Sequence, residues 1–472
     1  MAKKPIMILG CTSDAGKSFL VAALCRHFAN QGLRVAPFKA QNMSNQAAVT
    51  TEGLEMGRAQ YFQALAARVA PQVRMNPVLL KPSADTFSQV IVMGRVDTAI
   101  SAMPWMSRRE RLWPVVSQAL HSLLAEFDQV VIEGAGSPAE INLRAGDIVN
   151  MSVALECQAD VYLVSDIDRG GSFAHLLGTW MCLAPEEQAL IKGFVLNKFR
   201  GDPALLGNAM SWLQARTGVP TVAIIPMVAH TLPEEDTLHH RAQRVDGHIN
   251  IALLAYPYAS NLDEFDPLIH ERGVTVVPIR DFASLENFHA IILPGSKNTT
   301  KSLRHLLQTG LAAEVTRAAR RGTPILGVCG GMQMLGQRIL DPGKIEDGDM
   351  EGLGLLDVTT TLAPEKITRQ KNVRWLDGGQ VQGYEIHHGR TQAGPQAQAH
   401  LDDELGWQQG NVCGVYLHGL LENTAYRQHF LAKLGWQGQS ADWHAQLDAA
   451  LDRVAAIIPE SGWFPTAPQS RL

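Results

Sequence analysis

Residues 5–28, PIMILGCTSDAGKSFLVAALCRHF, place a glycine-containing loop between an apolar run typical of a strand and a helical stretch. The backbone N–H groups of such a loop, together with the N-terminus of the helix behind it, cradle phosphate groups. Lys17 would reach the terminal phosphates, and Ser18 would hold Mg²⁺. The stretch therefore predicts an α/β unit with a nucleotide site formed by Gly10, Thr12, Ser13, Asp14, Ala15, Gly16, Lys17 and Ser18.

The spacing within this loop is unusual. Five residues separate Gly10 from the Gly16-Lys17-Ser18 run, one more than in the common phosphate-binding loop, and Cys11 stands where that loop has glycine. The longer spacing resembles the loop of the dethiobiotin synthetase-like family, whose members phosphorylate a carboxylate with ATP. That resemblance implies ATP and Mg²⁺ as cofactors. A glycine-rich turn that binds nothing is the alternative, and the flanking strand and helix argue against it.

Two other predicted strand ends carry candidate nucleotide-site residues. Glu133 ends the apolar run of DQVVIEGAG (128–136) and is our candidate for a carboxylate on the metal side of the site. Asn197, in GFVLNKFRGD (193–202), suits adenine recognition by its side-chain amide. Asparagine at a strand end is also a routine turn residue, so both interpretations of Asn197 stay open.

The loop after the second predicted strand, PFKAQNMSNQA (37–47), is rich in side-chain amides and hydroxyls. It would lie at the carboxyl end of a parallel strand, where α/β sheets bind their ligands. We expect the loop to bind a large, polyfunctional, anionic substrate. The residues expected to do so are Lys39, Gln41, Asn42, Ser44 and Asn45. A polar surface loop without a ligand is the alternative.

The second half of the chain holds a glycine-flanked cysteine, Cys329, in PILGVCGGMQMLG (324–336), where an apolar strand turns straight into a helix. A thiol on such a turn projects outward, and the N-terminal end of the helix favours the thiolate, which is the reactive form. Single cysteines are more often structural. Here, however, the pattern G-x-C-x-G-x-Q resembles the nucleophile elbow of class I, triad-type glutamine amidotransferases.

Glutamine hydrolysis by a cysteine needs a group that shuttles a proton and N–H donors for the tetrahedral oxyanion. His418, at the end of NVCGVYLHG (411–419), is our candidate for the shuttle. Gln333 would position the substrate or the elbow. The expected oxyanion donors are the backbone N–H groups of Gly330 and of Gly295 or Ser296, the latter two in ILPGSKNT (292–299).

The residue that orients His418 is not evident from the sequence. Many relatives carry His-x-Glu, whose carboxylate orients the imidazole. Here Leu420 occupies that position. A backbone carbonyl or another side chain could orient His418, or the glutaminase could work as a Cys–His dyad. His387 and His388 are rival histidines, but neither ends a strand-like run.

Apolar strand-like runs alternate with helical stretches in both halves of the chain, which predicts two successive parallel-sheet α/β domains. We place an N-terminal P-loop, dethiobiotin synthetase-like domain at 1–230 and a polar linker at 231–248. A class I glutamine amidotransferase domain, flavodoxin-like in fold, would occupy 249–440. The remaining residues, 441–472, are expected to form a C-terminal helix and a poorly ordered tail.

Composition excludes several other classes of protein. The chain has 472 residues, 46% of them hydrophobic and 18% charged, with a net charge of −5. No basic stretch dominates, so we expect no nucleic-acid partner. No segment reaches the ~20 apolar residues of a membrane helix, so we expect no membrane partner. Six cysteines without a C-x-x-C pair indicate a reducing cytoplasm. Whether the chain forms a homo-oligomer stays open.

Nine motifs distributed along the chain together resemble the cobyric acid synthase family of the cobalamin pathway. They are GCTSDAGKS, PFKAQNMSNQA, VIEGAGSPAEINLR, SDIDRGGSFAHLLGT, SNLDEFDPL, ILPGSKNTTKSL, GVCGGMQMLG, GYEIHHGRT and GVYLHGLLEN. The resemblance implies amidation of the b, d, e and g carboxylates of adenosylcobyrinic acid a,c-diamide, with one ATP and one L-glutamine consumed for each amide. It also implies acyl phosphate intermediates and a Cys–His glutaminase that lacks the glutamate.

Two alternatives remain. The sibling family, cobyrinic acid a,c-diamide synthase, has the same domain order, but its loop after the second strand resembles GPDYIDP, whereas this chain has AQNMSNQ (40–46). A nucleotide-dependent switch or partitioning ATPase with an inactive amidotransferase-like domain is the other. Retention of Cys329, His418 and the ILPGS run argues against a dead glutaminase.

Overall fold

The computed structural model describes residues 4–84, 87–228, 230, 232 and 242–464. Within these ranges the chain forms two α/β units, each built around a mostly parallel sheet, which confirms the predicted fold class. Most of the predicted linker, residues 231 and 233–241, and the end of the predicted tail, residues 465–472, lie outside the described residues.

The first unit contains strands β1 to β12 and helices α1 to α8. The strands are β1 (Ile6–Gly10), β2 (Val35–Phe38), β3 (Gln41–Met43), β4 (Ala47–Val49), β5 (Glu55–Gly57), β6 (Val78–Ala84), β7 (Phe87–Val92), β8 (Arg95–Val96), β9 (Gln129–Glu133), β10 (Asp160–Asp166), β11 (Ile191–Phe199) and β12 (Thr221–Pro226). The helices are α1 (Lys17–Asn30), α2 (Arg58–Ala66), α3 (Thr98–Ser101), α4 (Arg109–Glu126), α5 (Met151–Cys157), α6 (Ser172–Met181), α7 (Pro185–Gln188) and α8 (Ala209–Thr217).

The central sheet of this unit has six parallel strands in the order β12-β11-β10-β1-β9-β2. Alternate residues of β1 face opposite sides: Ile6 and Ile8 join the core under α1, whereas Met7 and Leu9 join the core under α4 and α6. Burial on both faces explains the continuous apolar run in the sequence. Because the strands are parallel, the loops that follow β1, β2, β9 and β11 meet at one edge.

The second unit contains strands β13 to β25 and helices α9 to α13. The strands are β13 (Ile249–Leu254), β14 (Ala259–Ser260), β15 (Val274–Ile279), β16 (Ala290–Leu293), β17 (Gly295–Ser296), β18 (Ile325–Val328), β19 (Arg338–Leu340), β20 (Met350–Glu351), β21 (Val358–Arg374), β22 (Gln380–Ala393), β23 (Gln398–Leu401), β24 (Gly406–Gln409) and β25 (Val412–Val415). The helices are α9 (Asp266–Ile269), α10 (Thr299–Gln308), α11 (Leu311–Arg320), α12 (Gly330–Leu335) and α13 (Thr424–Lys433), followed by α14 (Trp443–Glu460).

The main sheet of the second unit has the order β15-β13-β16-β18-β25-β24-β23. Its first five strands are parallel, and β24 and β23 extend it in the antiparallel sense. Cys329 directly follows β18, and His418 follows the neighbouring strand β25. The long hairpin of β21 and β22 projects from this unit toward β4 of the first.

The C-terminal helix α14 returns to the first unit and packs against α1. Trp443, Leu447 and Leu451 share a core with Leu20 and Leu24 of α1. The order continues past the helix, since Trp463 is buried against Tyr162. The expectation of a poorly ordered tail is therefore wrong for 461–464, because an aromatic cluster anchors this segment to the sheet.

Among the helices of the described ranges, none is long and apolar enough to cross a membrane.

Candidate active site

The phosphate loop folds back on itself around Lys17. Lys17 Nζ donates to the carbonyl oxygens of Thr12, at 3.4 Å, and Gly136, at 3.3 Å. A Cβ on Gly10 would lie 2.7 Å from the carbonyl oxygen of Thr12, so glycine lets the loop fold closely over the end of β1. Gly16 has a φ of 92°, a left-handed conformation suited to glycine that turns the chain into α1.

Ser18 and Glu133, both predicted to hold Mg²⁺, lie in contact beside two further polar side chains. Ser18 Oγ donates to Glu133 Oε1 at 2.8 Å, Lys39 Nζ forms an ion pair with the same oxygen at 2.9 Å, and Gln63 Nε2 donates to Oε2. Burial would raise the pKa of Glu133, but the Lys39 ammonium and these hydrogen bonds lower it below its usual value. Glu133 is therefore an ionised carboxylate. Together with the Ser18 hydroxyl, it offers the oxygen ligands that Mg²⁺ prefers when it also binds phosphate.

Asn197 lies against the phosphate loop. Its Nδ2 donates to the carbonyl of Ala15 at 2.9 Å, and the same atom would lie 2.1 Å from a Cβ on Gly16. The Asn197 side chain thus stabilises the phosphate loop by a hydrogen bond from the end of β11. It also lines the cavity described next, and its adenine-binding role stays a prediction.

A cavity of about 1690 Å³ opens at the edge of the first sheet where the two units meet. Its wall includes all five residues predicted to bind substrate, Lys39, Gln41, Asn42, Ser44 and Asn45, together with Ser13, Asp14, Gly16, Lys17, Ser18, Glu133 and Asn197 of the predicted nucleotide and metal site. Leu262 and Asp263 close it from the second unit. Nucleotide-type and substrate-type residues therefore share one space. Sequence reasoning missed Arg58 and Gln63, which also line it.

Cys329 lies on a strained turn between β18 and α12. Its φ is 50° and its ψ is −106°, a conformation that costs a non-glycine residue about 1–3 kcal/mol. The backbone of this turn packs closely against β16. A Cβ on Gly331 would lie 1.9 Å from the carbonyl oxygen of Leu293, so no side chain fits there. Such strain, in a residue already suspected as nucleophile, is typical of an elbow that presents a reactive side chain.

The predicted oxyanion donors lie together beside this turn. A Cβ on Gly330 would lie 2.9 Å from the backbone nitrogen of Ser296, and one on Gly295 would lie 3.1 Å from His418 Cε1. The glycines therefore permit a close approach of three chain segments around the thiol. Gln333 supports the elbow, since its Oε1 accepts from Thr299 Oγ1 at 3.0 Å and its Nε2 donates to the Tyr416 hydroxyl at 3.2 Å.

His418 is held by a carboxylate from a distant part of the sequence. Its Nδ1 donates to Glu264 Oε1 at 2.9 Å, and Glu264 Oε2 accepts from the backbone nitrogen of Gly419 at 3.1 Å. The imidazole also hydrogen bonds to Cys329. His387, a rival histidine, bonds instead to Glu385 and to the Gly389 carbonyl. The group thus forms a Cys–His–Glu arrangement.

The charge of Glu264 controls the protonation of His418. Burial opposes protonation of the imidazole, but the Glu264 carboxylate and the hydrogen bond with Cys329 outweigh it and raise the pKa of His418 to about 10. His418 is therefore an imidazolium at neutral pH, able to stabilise a thiolate and to donate a proton.

Glu264 corrects the expectation of a glutaminase without the glutamate. It lies 154 residues before His418, in a 3-10 turn spanning Leu262–Phe265. Glu264 lies in the run SNLDEFDPL (260–268), where nothing local distinguishes it from Asp263 or Asp266.

The turn that carries Glu264 is bonded to the polar loop of the first unit. Ala47 N donates to Asn261 Oδ1 at 2.9 Å, and Leu262 N donates to Gln46 Oε1 at 3.1 Å. The Tyr384 ring stacks on His418 at 5.2 Å, and its hydroxyl donates to the Ala47 carbonyl at 3.1 Å. The loop that lines the cavity therefore also contacts the residues that surround His418.

Known protein families match both units of the chain, the unit with the phosphate loop and the unit with Cys329. Residues 6–237 match the family described as CobQ/CobB/MinD/ParA nucleotide binding domain, and residues 250–426 match the CobB/CobQ-like glutamine amidotransferase domain. A solved structure of a glutamine amidotransferase is 19% identical and covers 39% of this chain and 99% of its own, with a TM-score of 0.33, a likeness too low to carry an argument.

Two curated relatives match almost the whole chain. The cobyric acid synthase of Deinococcus radiodurans is 55% identical over 471 residues, which cover 96% of this chain and 97% of that protein. The cobyric acid synthase of Paracidovorax citrulli is 50% identical over 497 residues, which cover 99% of this chain and 98% of that protein. Identity at this level over both domains shows that the chain belongs to the cobyric acid synthase family.

Proposed function

We propose that this protein is an ATP- and glutamine-dependent ligase that converts the b, d, e and g carboxylates of adenosylcobyrinic acid a,c-diamide into amides, giving adenosylcobyric acid. The observation that carries the proposal is the single chain's pairing of a phosphate loop with a Cys–His–Glu site. One short turn joins the two sites. Its Asp263 lines the cavity that contains the phosphate loop, and its Glu264 bonds to His418 beside Cys329.

The first step would activate the carboxylate. A carboxylate oxygen of the corrinoid attacks the γ-phosphorus of ATP, ADP leaves, and an acyl phosphate forms. Lys17 and the backbone N–H groups of the loop stabilise the charge that develops on the phosphoryl oxygens. Ser18 and Glu133 would hold Mg²⁺, which neutralises phosphate charge when bound. Lys39, now paired with Glu133 at 2.9 Å, is placed to meet the anionic substrate or the phosphates.

The second step would release ammonia. The Cys329 thiolate attacks the side-chain amide carbon of glutamine, and the backbone N–H groups near Gly330 and Ser296 bind the oxyanion. The His418 imidazolium gives its proton to the leaving ammonia, and a thioester remains. His418 then removes a proton from water, which attacks the thioester and releases glutamate. Ammonia attacks the acyl phosphate, and inorganic phosphate leaves.

The cavity suits a large substrate that bears many polar groups. Its volume of about 1690 Å³ exceeds the usual range for small-molecule sites, roughly 300–1,000 Å³, and so has room for a nucleotide beside a macrocycle. Side-chain amides and hydroxyls of Gln41, Asn42, Ser44 and Asn45 line it. Such groups can bond both to carboxylates and to the amides that replace them.

The product mass tests the proposal. Purified protein is incubated with adenosylcobyrinic acid a,c-diamide, ATP, Mg²⁺ and glutamine, and we expect four successive steps from carboxylate to amide. Cobyrinic acid without any amide is the control substrate, because the sibling diamide synthases act there. Amide addition to cobyrinic acid alone, with the diamide unchanged, would contradict the assignment.

A further inference from the structure

Arg58, the first residue of α2, joins the first unit to two turns of the second. Its Nε donates to Asp263 Oδ2 at 2.5 Å, and its Nη2 donates to Glu422 Oε1 at 2.8 Å. Its backbone nitrogen donates to the carbonyl of Gln46 at 3.2 Å, which fixes the start of the helix to the polar loop. From the wall of the cavity, one side chain therefore bridges two carboxylates of the other unit.

The first of the two turns holds the carboxylate that orients His418. Asp263 and Glu264 are consecutive residues of the 3-10 turn Leu262–Phe265, and Glu264 Oε1 accepts a hydrogen bond from His418 Nδ1 at 2.9 Å. The side chain of Asp263 is 4% exposed. Among the described residues, Arg58 is its sole hydrogen-bond donor, since Asp263 Oδ1 is buried without a partner. Without the guanidinium, this turn would carry a buried carboxylate with no counter-ion, which is strongly unfavourable.

The second turn follows His418 in the chain. It spans Leu420–Glu422, and the backbone nitrogen of Glu422 donates to the Gly419 carbonyl at 3.0 Å. The backbone nitrogen of Gly419 donates to Glu264 Oε2 at 3.1 Å, so the two turns are also bonded to each other. By pairing with Glu422, the guanidinium therefore holds the chain that follows the imidazole as well as the turn that orients it.

We propose that Arg58 is a positioning residue of the glutaminase, which keeps Glu264 and His418 in the geometry that proton transfer needs. This role rests on the proposed glutaminase function of Cys329. Arg58 acts through the two turns that it bridges. A residue of the ATP-binding unit would thus set the rate of glutamine hydrolysis in the other unit, from the wall of the cavity in which the corrinoid would bind.

Arg58 stays charged across the pH range of an assay. Burial would lower its pKa, but the carboxylates of Asp263 and Glu422 raise that pKa well above its usual value. The other titratable groups beside it are the phenols of Tyr384 and Tyr61, and Arg58 Cζ lies 5.7 Å from the centre of the Tyr61 ring. Burial raises the pKa of both phenols. A change in the pH dependence of an Arg58 variant would therefore report on the imidazole.

The test measures the glutamate formed when glutamine is the only substrate. In Arg58→Met we expect kcat to fall roughly 10- to 100-fold, as for loss of hydrogen bonds to charged groups, while KM for glutamine changes by less than about threefold. Arg74→Met is the matched control, since Arg74 is an arginine of the same unit that is 21% exposed, against 17% for Arg58, and pairs with Glu126. It should leave both constants unchanged.

The pH profile separates positioning from damage to the fold. If Arg58 positions Glu264, its loss weakens the support of the imidazolium, so the basic limb should move from near pH 10 toward neutral pH. Removal of a positive charge by itself would move the limb to higher pH, because a nearby cation opposes protonation of the imidazole. A limb that is unshifted, or shifted upward, in folded Arg58→Met would overturn the proposal.

A second variant keeps the proposal testable if Arg58→Met does not fold. Glu422→Met removes one bond of Arg58 but leaves Asp263 its counter-ion, and it should lower kcat by ~3- to 10-fold with the same direction of shift in the pH profile. The double variant should lose no more than Arg58→Met alone, since both changes remove the same bond. Additive losses would overturn the bridge. A parent protein that hydrolyses no glutamine would instead contradict the proposed function.

Discussion

Replacing Glu264 with glutamine removes one charge from the glutaminase site and keeps its shape. Glu264 accepts two hydrogen bonds, from His418 Nδ1 and from the backbone nitrogen of Gly419. A glutamine amide has a single accepting oxygen, so its nitrogen must face one of these donors. The substitution therefore removes both the charge and one of the two hydrogen bonds that orient the imidazole.

The size of the effect follows from the protonation of His418. Its pKa lies at about 10 instead of 6.5, with Glu264 the largest of the causes that raise it. If Glu264 supplies half of that rise, its loss lowers the pKa by ~2 units, or ~2–3 kcal/mol of support for the imidazolium. Poorer proton transfer should then lower kcat for glutamine hydrolysis by roughly 10²- to 10³-fold in Glu264→Gln.

The pH profile separates this role from simple damage to the fold. The rate should fall as His418 loses its proton, so the basic limb of the profile in the parent protein lies near pH 10 and moves toward neutral pH in Glu264→Gln. Ammonia-dependent amidation should be unchanged. Glu286→Gln, at an exposed glutamate, is the control. An unshifted basic limb with an unchanged kcat would refute the assignment of Glu264.

Three further predictions follow from the division into two sites. Cys329→Ala should abolish glutamine use but retain amidation with free ammonia at high pH, measured by product mass; loss of both in folded protein would contradict the division. Lys17→Ala should stop amidation with either nitrogen source, because no carboxylate is activated, and ADP release should stop with it. Asn261→Ala should loosen the turn bonded to Ala47 and raise the glutamine hydrolysed per amide formed above one, and a ratio that stays at one would argue against coupling through this turn.

The stability of the fold should also depend on the charge of His418. Because its pKa is raised in the folded protein, the pair with Glu264 stabilises the fold fully below the unfolded pKa of about 6.5, and this contribution disappears as pH rises toward about 10. Urea unfolding between pH 6 and 10 should show a steeper loss of stability in the parent protein than in Glu264→Gln. Parallel curves would contradict the pairing.

Local sequence was sufficient to predict the two reactive turns. The Gly16-Lys17-Ser18 run and the glycines around Cys329 determine their own backbone conformations, so their chemistry could be inferred from spacing alone. Parallel strands then bring Ser18 and Glu133 to the same edge of a sheet. Motifs that act through backbone geometry are therefore visible before the structure is known.

Contacts between distant segments were not predictable in the same way. The bond of Glu264 to His418 depends on how a short 3-10 turn packs between the units. The C-terminal helix carries Asp448, which pairs with the buried Arg26 of α1 at 2.6 Å, and no local pattern indicates that partner. Such pairings depend on how whole helices and strands pack against one another. A single sequence does not reveal that packing.

The central claim is that nitrogen released at Cys329 reaches the carboxylate activated at Lys17. It is tested most directly by incubating the protein with the a,c-diamide, ATP, Mg²⁺ and glutamine labelled with ¹⁵N in its side-chain amide, in the presence of unlabelled ammonium. We predict that mass spectrometry will find ¹⁵N in all four new amides, with little dilution by the ammonium pool. Amides carrying mostly unlabelled nitrogen would contradict transfer between the two sites.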